Sequence, residues 1–369
     1  MDKPLNILQI LRAPVGGLFR HVCDLTQQLS ERNHKVGLVV DELSFDAETD
    51  KKLDTIRAYA ELGIHTVPIP RMLGFGDLIA PLRIRKLAKT LNIDVLHGHG
   101  AKGGFHSRLA GIGLKETRKV YTPHGGVLHF AKGSASGLVF HNLERMLLKT
   151  TNSIVFESQF AAQSYKSQIV DAAEKAVIIH NGLPESEFED IPTNSEYDFV
   201  FVGELRDLKG VETLLHALAS IKTASEQPAS LLIIGDGPHR EQFEALAVEL
   251  GLTERVDFIG ANPAKIGFAK SDIVVVPSYK ESLPYIVMEA VAAGKDVIAT
   301  DVGGIGEIFG PERDQLIPAK NVEALRDAMQ SRLLEKPSFD EHNKRLQNHV
   351  KSAFSLTNMT DGILATYRK

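Results

Sequence analysis

The stretch Ser271–Gly294, SDIVVVPSYKESLPYIVMEAVAAG, decides the fold. Ile273 to Val276 is a β-branched run too short for a helix and closed by Pro277, the pattern of a strand buried in a parallel sheet. A polar loop, Ser278 to Leu283, follows. Pro284 is placed to open a helix in which Val287, Ala290 and Val291 recur at three- and four-residue spacing until Gly294 stops it. Strand, loop and helix in this order set a helix start at the carboxyl end of a parallel sheet. Ligands of open α/β folds bind there, and backbone N–H groups with a partial positive charge favour an anion. Glu281 lies in the loop and Glu289 on the helix. A diphosphate near Ser282 and Leu283 would therefore have a carboxylate on either side to accept hydrogen bonds from hydroxyl groups. Taken alone, two glutamates so spaced are solvated surface residues; the sugar, diphosphate and ribose of a sugar nucleotide match their layout.

With its neighbours up and down the chain, the segment resembles the paired-glutamate motif of the retaining glycosyltransferases of family 4, the glycosyl transferases of group 1. Glu281 and Glu289 stand at the motif's spacing, and the pair Glu289–Ala290 is intact. The resemblance runs nearly the full length and implies an α/β protein of GT-B architecture: two Rossmann-like doubly wound domains facing a deep interdomain cleft. It also implies that the first glutamate meets the donor sugar and the second the ribose.

A chain of 369 residues exceeds the size at which one core stops growing, so two domains are expected. A hydrophobic share of 43% and a charged share of 24% are ordinary for a globular protein. The one cysteine, Cys23, cannot form an internal disulfide, and no Cys/His ligand spacing occurs, which together point to a reducing compartment, the cytoplasm, and no structural zinc. The N-terminal MDKPLNILQIL reads as a first strand rather than a signal segment, and no apolar run is long enough to span a membrane. The net charge is −5, with a slight excess of cations in the first half. That excess is too small for nucleic-acid binding, though it permits approach to an anionic surface.

Asn6 to Leu11 reads as the first strand. Pro14, Gly16 and Gly17 make a turn before a helix carrying Val22, Leu25 and Leu29, and Val36 to Val40 is the next strand. The two glycines stand where a backbone comes close to a phosphate. A further strand is expected at His65 to Ile69, then a helix from Asp77 to Leu91 with Arg83, Arg85, Lys86 and Lys89 among Leu82, Ile84, Leu87 and Leu91. Such a basic helix suits contact with the anionic headgroups of an inner membrane, although a face of this kind is more often simply solvated. The segments ending in HGHGAKGG (97–104) and TPHGG (122–126) read as strand ends running into Gly-rich loops, so His97, His99 and His124 would project from the carboxyl edge of the sheet towards the cleft. Both segments resemble family loops. The resemblance sets His124 by the donor sugar and His99 and Lys102 on the acceptor side; His97 reads as structural.

Ser153 to Glu157 is a strand, and Ser158 caps the next helix. The Glu-, Asp-, Pro- and Ser-rich stretch 184–197 reads as the linker, dividing an acceptor-side domain, 1–185, from a nucleotide-sugar-binding domain, 186–352. A terminal helix, 353–369, would rejoin the first. In the second domain Lys209 and Gly210 match the family's Lys-Gly at a helix start, where a lysine pairs with a phosphate. Glu204 stands where the family usually has arginine, so either Arg206 supplies the second cation or Lys209 works alone. Gly235 opens a GDGP turn resembling the family's; Arg240 stands where a dinucleotide fingerprint needs its third glycine. Gly260 closes VDFIG, before a loop that lies near the base in the family. Gly303 and Gly304 can meet a phosphate or the sugar, and residues 321–334 and 338–369 read as helical.

The resulting expectation is a metal-independent transferase with no resident cofactor. It would move a hexose from a UDP- or GDP-sugar to a glycan or lipid-linked acceptor, as in bacterial envelope polysaccharide or lipopolysaccharide synthesis. Glu281, His124 and Lys209 would be its catalytic residues. Gly16, Gly17, Arg206, Gly235, Gly260, Ser282, Leu283, Pro284 and Glu289 would join Lys209 in holding the donor. Retention without a protein nucleophile is implied by the resemblance alone. The absence of an Asp-x-Asp pair agrees with no required metal. A nucleotide-sugar epimerase, a phosphorylase of the same architecture or a non-catalytic sugar-nucleotide binder would keep the same residues. A dinucleotide-dependent oxidoreductase is opposed by the missing GxGxxG after the first strand.

Overall fold

The structure is a computed structural model that describes residues 3–72, 74–125, 135–334 and 336–369. Gly126, the second glycine of the TPHGG segment, lies outside them. The chain divides into two compact units: unit 1, Met1–Asn181 with Thr357–Lys369, and unit 2, Gly182–Leu356.

Unit 1 alternates strands β1 (Asn6–Ile10), β2 (Lys35–Asp41), β3 (Ile64–Val67), β4 (Val95–His99), β5 (Arg118–Thr122), β6 (Ser153–Phe156) and β7 (Ala176–Ile178) with helices α1 (Gly16–Glu31), α2 (Ala47–Arg57), α3 (Gly76–Thr90), α4 (Gly100–Ala110), α5 (Ala135–Leu148) and α6 (Gln159–Gln168). The sheet order is β3-β2-β1-β4-β5-β6-β7, with every pairing parallel. Parallel strands covered by helices are apolar along their whole length, and β1 and β4 are buried almost end to end for that reason. The order reverses between β1 and β4, which opens a crevice at their carboxyl ends.

Unit 2 repeats the plan with β8 (Phe199–Val202), α7 (Val211–Leu218), β9 (Leu231–Ile234), α8 (Arg240–Glu249), β10 (Val256–Phe258), α9 (Ala264–Phe268), β11 (Ile273–Val276), α10 (Tyr285–Ala292), β12 (Asp296–Ala299), α11 (Ile305–Phe309), α12 (Val322–Leu334) and α13 (Lys336–Ala353). Its order is β10-β9-β8-β11-β12, again all parallel, and the reversal falls between β8 and β11. Val274 and Val276 point into one core cluster with Val287, Ala290 and Val291 of α10, and Val275 into the other with Leu214 and Leu215 of α7. The expected buried strand of the opening stretch is thus packed on both faces. A last helix, α14 (Leu356–Arg368), follows, and from Thr357 onwards it belongs to unit 1.

Three boundaries differ from the sequence expectation. The units part at 181/182 and 356/357 rather than at 185/186 and 352/353. The reason is that the Leu183 N–H donates to Phe354 O and the Leu356 N–H to Leu183 O, tying both connections into unit 2. The same ladder breaks the expected continuous helix 338–369 into α13 and α14. And HGHGAKGG is not a loop: β4 runs directly into α4, and a side chain at Gly103 would meet Ile10 O while one at Gly104 would meet the Tyr121 ring. These two glycines serve close packing of α4 on the sheet.

Candidate active site

In unit 2 the β8/β11 switch point gathers Lys209, Ser278, Glu281 and Ser282. Lys209 ends a single 3-10 turn, and Gly210, at φ +72, lets the chain turn into α7; any side chain there would strike Pro277 O. Tyr279 N–H donates to Leu208 O at 2.8 Å, and the Thr213 and Tyr279 hydroxyls meet at 2.6 Å, so the loops after β8 and β11 are pinned to each other. On that frame Lys209 Nζ donates to Glu281 Oε1 at 2.7 Å, and Ser278 Oγ donates to the same oxygen at 2.7 Å. Glu281 is thus already engaged, not an open acceptor.

From below, Gly304 N–H donates to Ser282 O at 2.7 Å, and Gly303, at φ +62, packs its α-carbon under Glu281 O. The Ser282 hydroxyl is buried with no partner among the described residues. Leu283 is buried, and Pro284 is the extended N-cap residue of α10, not its first helical residue as the sequence suggested. The first turn of α10, from Tyr285, aims its N–H groups at this loop. Glu289 stands on α10, half-buried.

Arg206 does not reach this group; its guanidinium lies 3.5 Å from Glu204, with both side chains half-exposed. The glutamate that departs from the family pattern thus holds the arginine expected to compensate for it. Gly235, whose N–H donates to Gly260 O at 2.8 Å, links the GDGP turn to the loop after β10.

In unit 1 the β1/β4 switch point holds a cluster of histidines. Gly16, at φ +60, and Gly17 form the exposed first turn of α1 rather than a turn ahead of it. His99 ends β4, and His124, at φ +49, follows β5. His99 Nδ1 lies 3.1 Å from His124 Nε2, and His124 Nδ1 lies 2.9 Å from Glu157 Oε2. His97 has both ring nitrogens bonded, to Tyr367 OH at 2.7 Å and Thr122 Oγ1 at 2.9 Å, as a structural histidine should. Burial holds the His97 and His99 imidazoles neutral, well below the usual histidine range. Lys102, expected on the acceptor side, is drawn inwards: its Nζ donates to Asp77 Oδ1 at 2.7 Å and Met72 O at 3.3 Å.

Three members of this cluster escape the sequence reading. His21 sits on the buried face of α1 with Val22 and Leu25, its ring 4.9 Å from that of His124 and 5.6 Å from that of His99. Its Nδ1 meets Asn181 Oδ1 at 3.0 Å, and Glu157 closes the far side of His124. A histidine in phase with apolar residues on the first helix was the available signal for His21. Glu157 and Asn181 have none, because strand order alone brings them there.

Residues 15–187 match the family described as Glycosyltransferase Family 4, and residues 185–352 match Glycosyl transferases group 1. The N-acetyl-alpha-D-glucosaminyl L-malate synthase of Bacillus anthracis is 27% identical, over 80% of this chain and 78% of that protein. The sucrose-phosphate synthase of Thermosynechococcus elongatus superimposes with a TM-score of 0.80 at 20% identity, over 99% of this chain and 98% of that one. HepE of Anabaena, solved with UDP and glucose, gives 0.78 at 18% identity over 99% of both chains. The structural likenesses carry the GT-B fold, each unit of this chain supplying one Rossmann-like sheet. With the two family matches together covering residues 15–352, the chain belongs to the family 4, group 1 glycosyltransferases.

Proposed function

We propose that the chain moves a hexose from a UDP- or GDP-sugar to a glycan or lipid-linked acceptor, with retention at the anomeric carbon and without a metal ion on the diphosphate, in the assembly of a bacterial envelope polysaccharide or lipopolysaccharide. The observation that carries this reading is the Lys209–Glu281 pair, 2.7 Å apart at the β8/β11 switch point. A cation for the leaving diphosphate and a carboxylate for sugar hydroxyls are held there in contact, ready to exchange each other for the two halves of one ligand. Charge developing on the leaving group is taken up by Lys209 and the first turn of α10 in a preorganised setting, where such help is worth most. Ser282, Leu283 and Pro284 shape the diphosphate loop, Glu289 takes the ribose, and Gly235 and Gly260 line the base.

His124 stands by the sugar, Gly16 and Gly17 let the backbone approach the diphosphate, and His99 and Lys102 face the acceptor, Lys102 once its pair with Asp77 opens. The UDP bound by HepE supports a uridine donor. Peripheral contact with the cytoplasmic face of a membrane is supported by α3 and the turn before it. Met72, Phe75, Leu78 and Leu82 are 78%, 77%, 68% and 68% exposed, and Arg71, Lys86 and Lys89 are exposed beside them. Among the described residues no helix is long and apolar enough to cross the membrane.

The test is thermal unfolding with UDP, GDP, ADP and NAD in parallel, without metal and then with magnesium. A ligand at about a hundred times its dissociation constant adds roughly 2.7 kcal/mol of stability. A raised midpoint with one nucleoside diphosphate in the absence of magnesium is the expected result and names the donor class. A response to NAD alone, or to none of the four, overturns the reading.

A further inference from the structure

We propose that His21, His99 and His124 form a binding site for a single zinc-class divalent ion in unit 1, separate from the diphosphate loop of unit 2. One nitrogen of each ring lies within 4.8 Å of one nitrogen of each of the others. Zinc–imidazole bonds of about 2.0–2.1 Å set ligand nitrogens on one tetrahedral ion roughly 3.3 Å apart. His99 Nδ1 and His124 Nε2, at 3.1 Å, already meet that spacing, and His21 has to close in by up to about 1.5 Å to join them.

The second observation is an unmet one. His21 Nε2 is buried with no hydrogen-bond partner among the described residues, a condition that buried ring nitrogens rarely tolerate. The far nitrogens of two of the three rings face oxygen: His21 Nδ1 meets Asn181 Oδ1 at 3.0 Å and His124 Nδ1 lies 2.9 Å from Glu157 Oε2. Carboxylate or amide oxygen behind a histidine fixes the tautomer with the opposite nitrogen bare, which is the arrangement behind metal-bound histidines. His99 joins by carrying its proton on Nε2, leaving Nδ1 bare towards the centre. Burial keeps two of the rings in the unprotonated form that a metal needs: the His21 value is pushed down to about 3, with His124 adding to the effect, and that of His99 falls well below the ordinary range.

The chemistry selects the ion. Three imidazoles with one carboxylate behind them suit zinc, cobalt or nickel rather than magnesium or calcium, which take oxygen. Three protein ligands leave a fourth position for water. An ion so held occupies the His124 nitrogen that would otherwise face the sugar, so it inhibits transfer, and a chelator raises the rate or leaves it unchanged.

The experiment uses the full chain, stripped with a chelator and dialysed. Zinc is titrated against a chromophoric indicator, and cobalt is titrated with its visible ligand-field absorption as readout. The expected result is one equivalent of either ion with a tetrahedral cobalt spectrum, lost in His21→Gln and in His99→Gln, and about 10–100-fold weaker in Glu157→Gln. His106→Gln, outside the cluster, binds as the parent does. Circular dichroism checks each fold; if His99→Gln does not fold, His21→Gln, on the face of α1, decides. No stoichiometric binding by the parent, or binding retained in folded His21→Gln, overturns the proposal. A cluster that is only a hydrogen-bonded histidine pair gives the first of these. The readout is metal content, so it stands or falls apart from the donor reading.

Discussion

One oxygen of Glu281 accepts both the Lys209 ammonium, at 2.7 Å, and the Ser278 hydroxyl, at 2.7 Å, joining the loop after β8 to the loop after β11. The carboxylate is thereby fixed in position, and the lysine that orients it is, on the proposed function, also the cation for an incoming diphosphate. On that reading donor binding exchanges this contact for contacts with the ligand, which would couple recognition of the sugar to recognition of the phosphates.

Glu281→Gln and Lys209→Ala should each lower turnover by more than tenfold at saturating donor while the far-ultraviolet circular dichroism stays that of the parent. Tenfold corresponds to about 1.4 kcal/mol of transition-state stabilisation. Steady-state rates for the two variants check this; parental turnover in either removes the residue from the mechanism.

Gly303→Ala tests the support under that carboxylate. The residue has φ +62, and an added methyl group runs into Glu281 O. A loss of about 1–3 kcal/mol in denaturant unfolding is expected from the strained backbone, together with a fall in transfer because Glu281 shifts. If stability drops and the rate does not, the loop relaxes without moving the carboxylate.

Unit 1 carries a stability determinant of its own. Arg108, fully buried on α4, forms two hydrogen bonds to Glu144, at 2.8 and 2.6 Å, and lies 4.1 Å over the Tyr121 ring. Arg108→Leu leaves the carboxylate buried without its cation and should cost about 3–5 kcal/mol by urea unfolding. Removing both charges, as Arg108→Leu with Glu144→Leu, should recover much of that loss. A double variant no more stable than the single one rules out the buried charge as the cause.

His106 gives a dependence on pH. Burial lowers its affinity for a proton below that of a free histidine, with Lys102 adding to the effect and Asp77, 3.1 Å away, and Asp41 opposing it. The unfolded chain therefore binds the proton more readily than the native one, and stability rises with pH in this range. The contribution is complete above the unfolded value of about 6.5 and is lost as pH falls below it. Urea midpoints at pH 7 and pH 5 should differ less in His106→Gln than in the parent; equal differences in the two proteins refute the assignment.

Replacing Phe75, Leu78 and Leu82 together by serine should abolish co-flotation with vesicles containing anionic lipid and leave the thermal midpoint unchanged, since all three side chains are exposed. Binding that persists in the triple variant, or that is equal on neutral vesicles, removes α3 as the membrane-facing element.

The alternation of strands and helices was readable wherever one residue type dominated. The β-branched run at Ile273–Val276 marks β11, and Ser158 caps α6 with its hydroxyl as expected. Boundaries set by distant partners were not readable. In Ala353-Phe354-Ser355-Leu356 only Ser355, at the cap position before α14, hints at a new helix start, and the break itself comes from pairing with Leu183. Of the site, Lys209 and Glu281 announced themselves at loop positions next to strand ends, and the structure brings their side chains together. The pairing of Arg206 with Glu204 follows from their closeness in sequence and was open to inference. His21, Glu157 and Asn181 converge only because the order of a seven-stranded sheet places β1, β4, β5 and β6 side by side.

The return of residues 357–369 to unit 1 has a consequence for how the chain is made. Tyr367, which bonds His97, is 270 residues away from it in sequence. During synthesis the first sheet emerges early but waits, with the His97 flank uncovered, until all of the second unit has been translated. Unit 2 is continuous and can fold as it appears. Pairing over such a separation is slow to form, and an exposed, half-finished sheet is where chaperone capture or aggregation begins. The N-terminal unit is thus the last to be completed, and a ribosome stalled late on the message leaves His97 without its tyrosine partner.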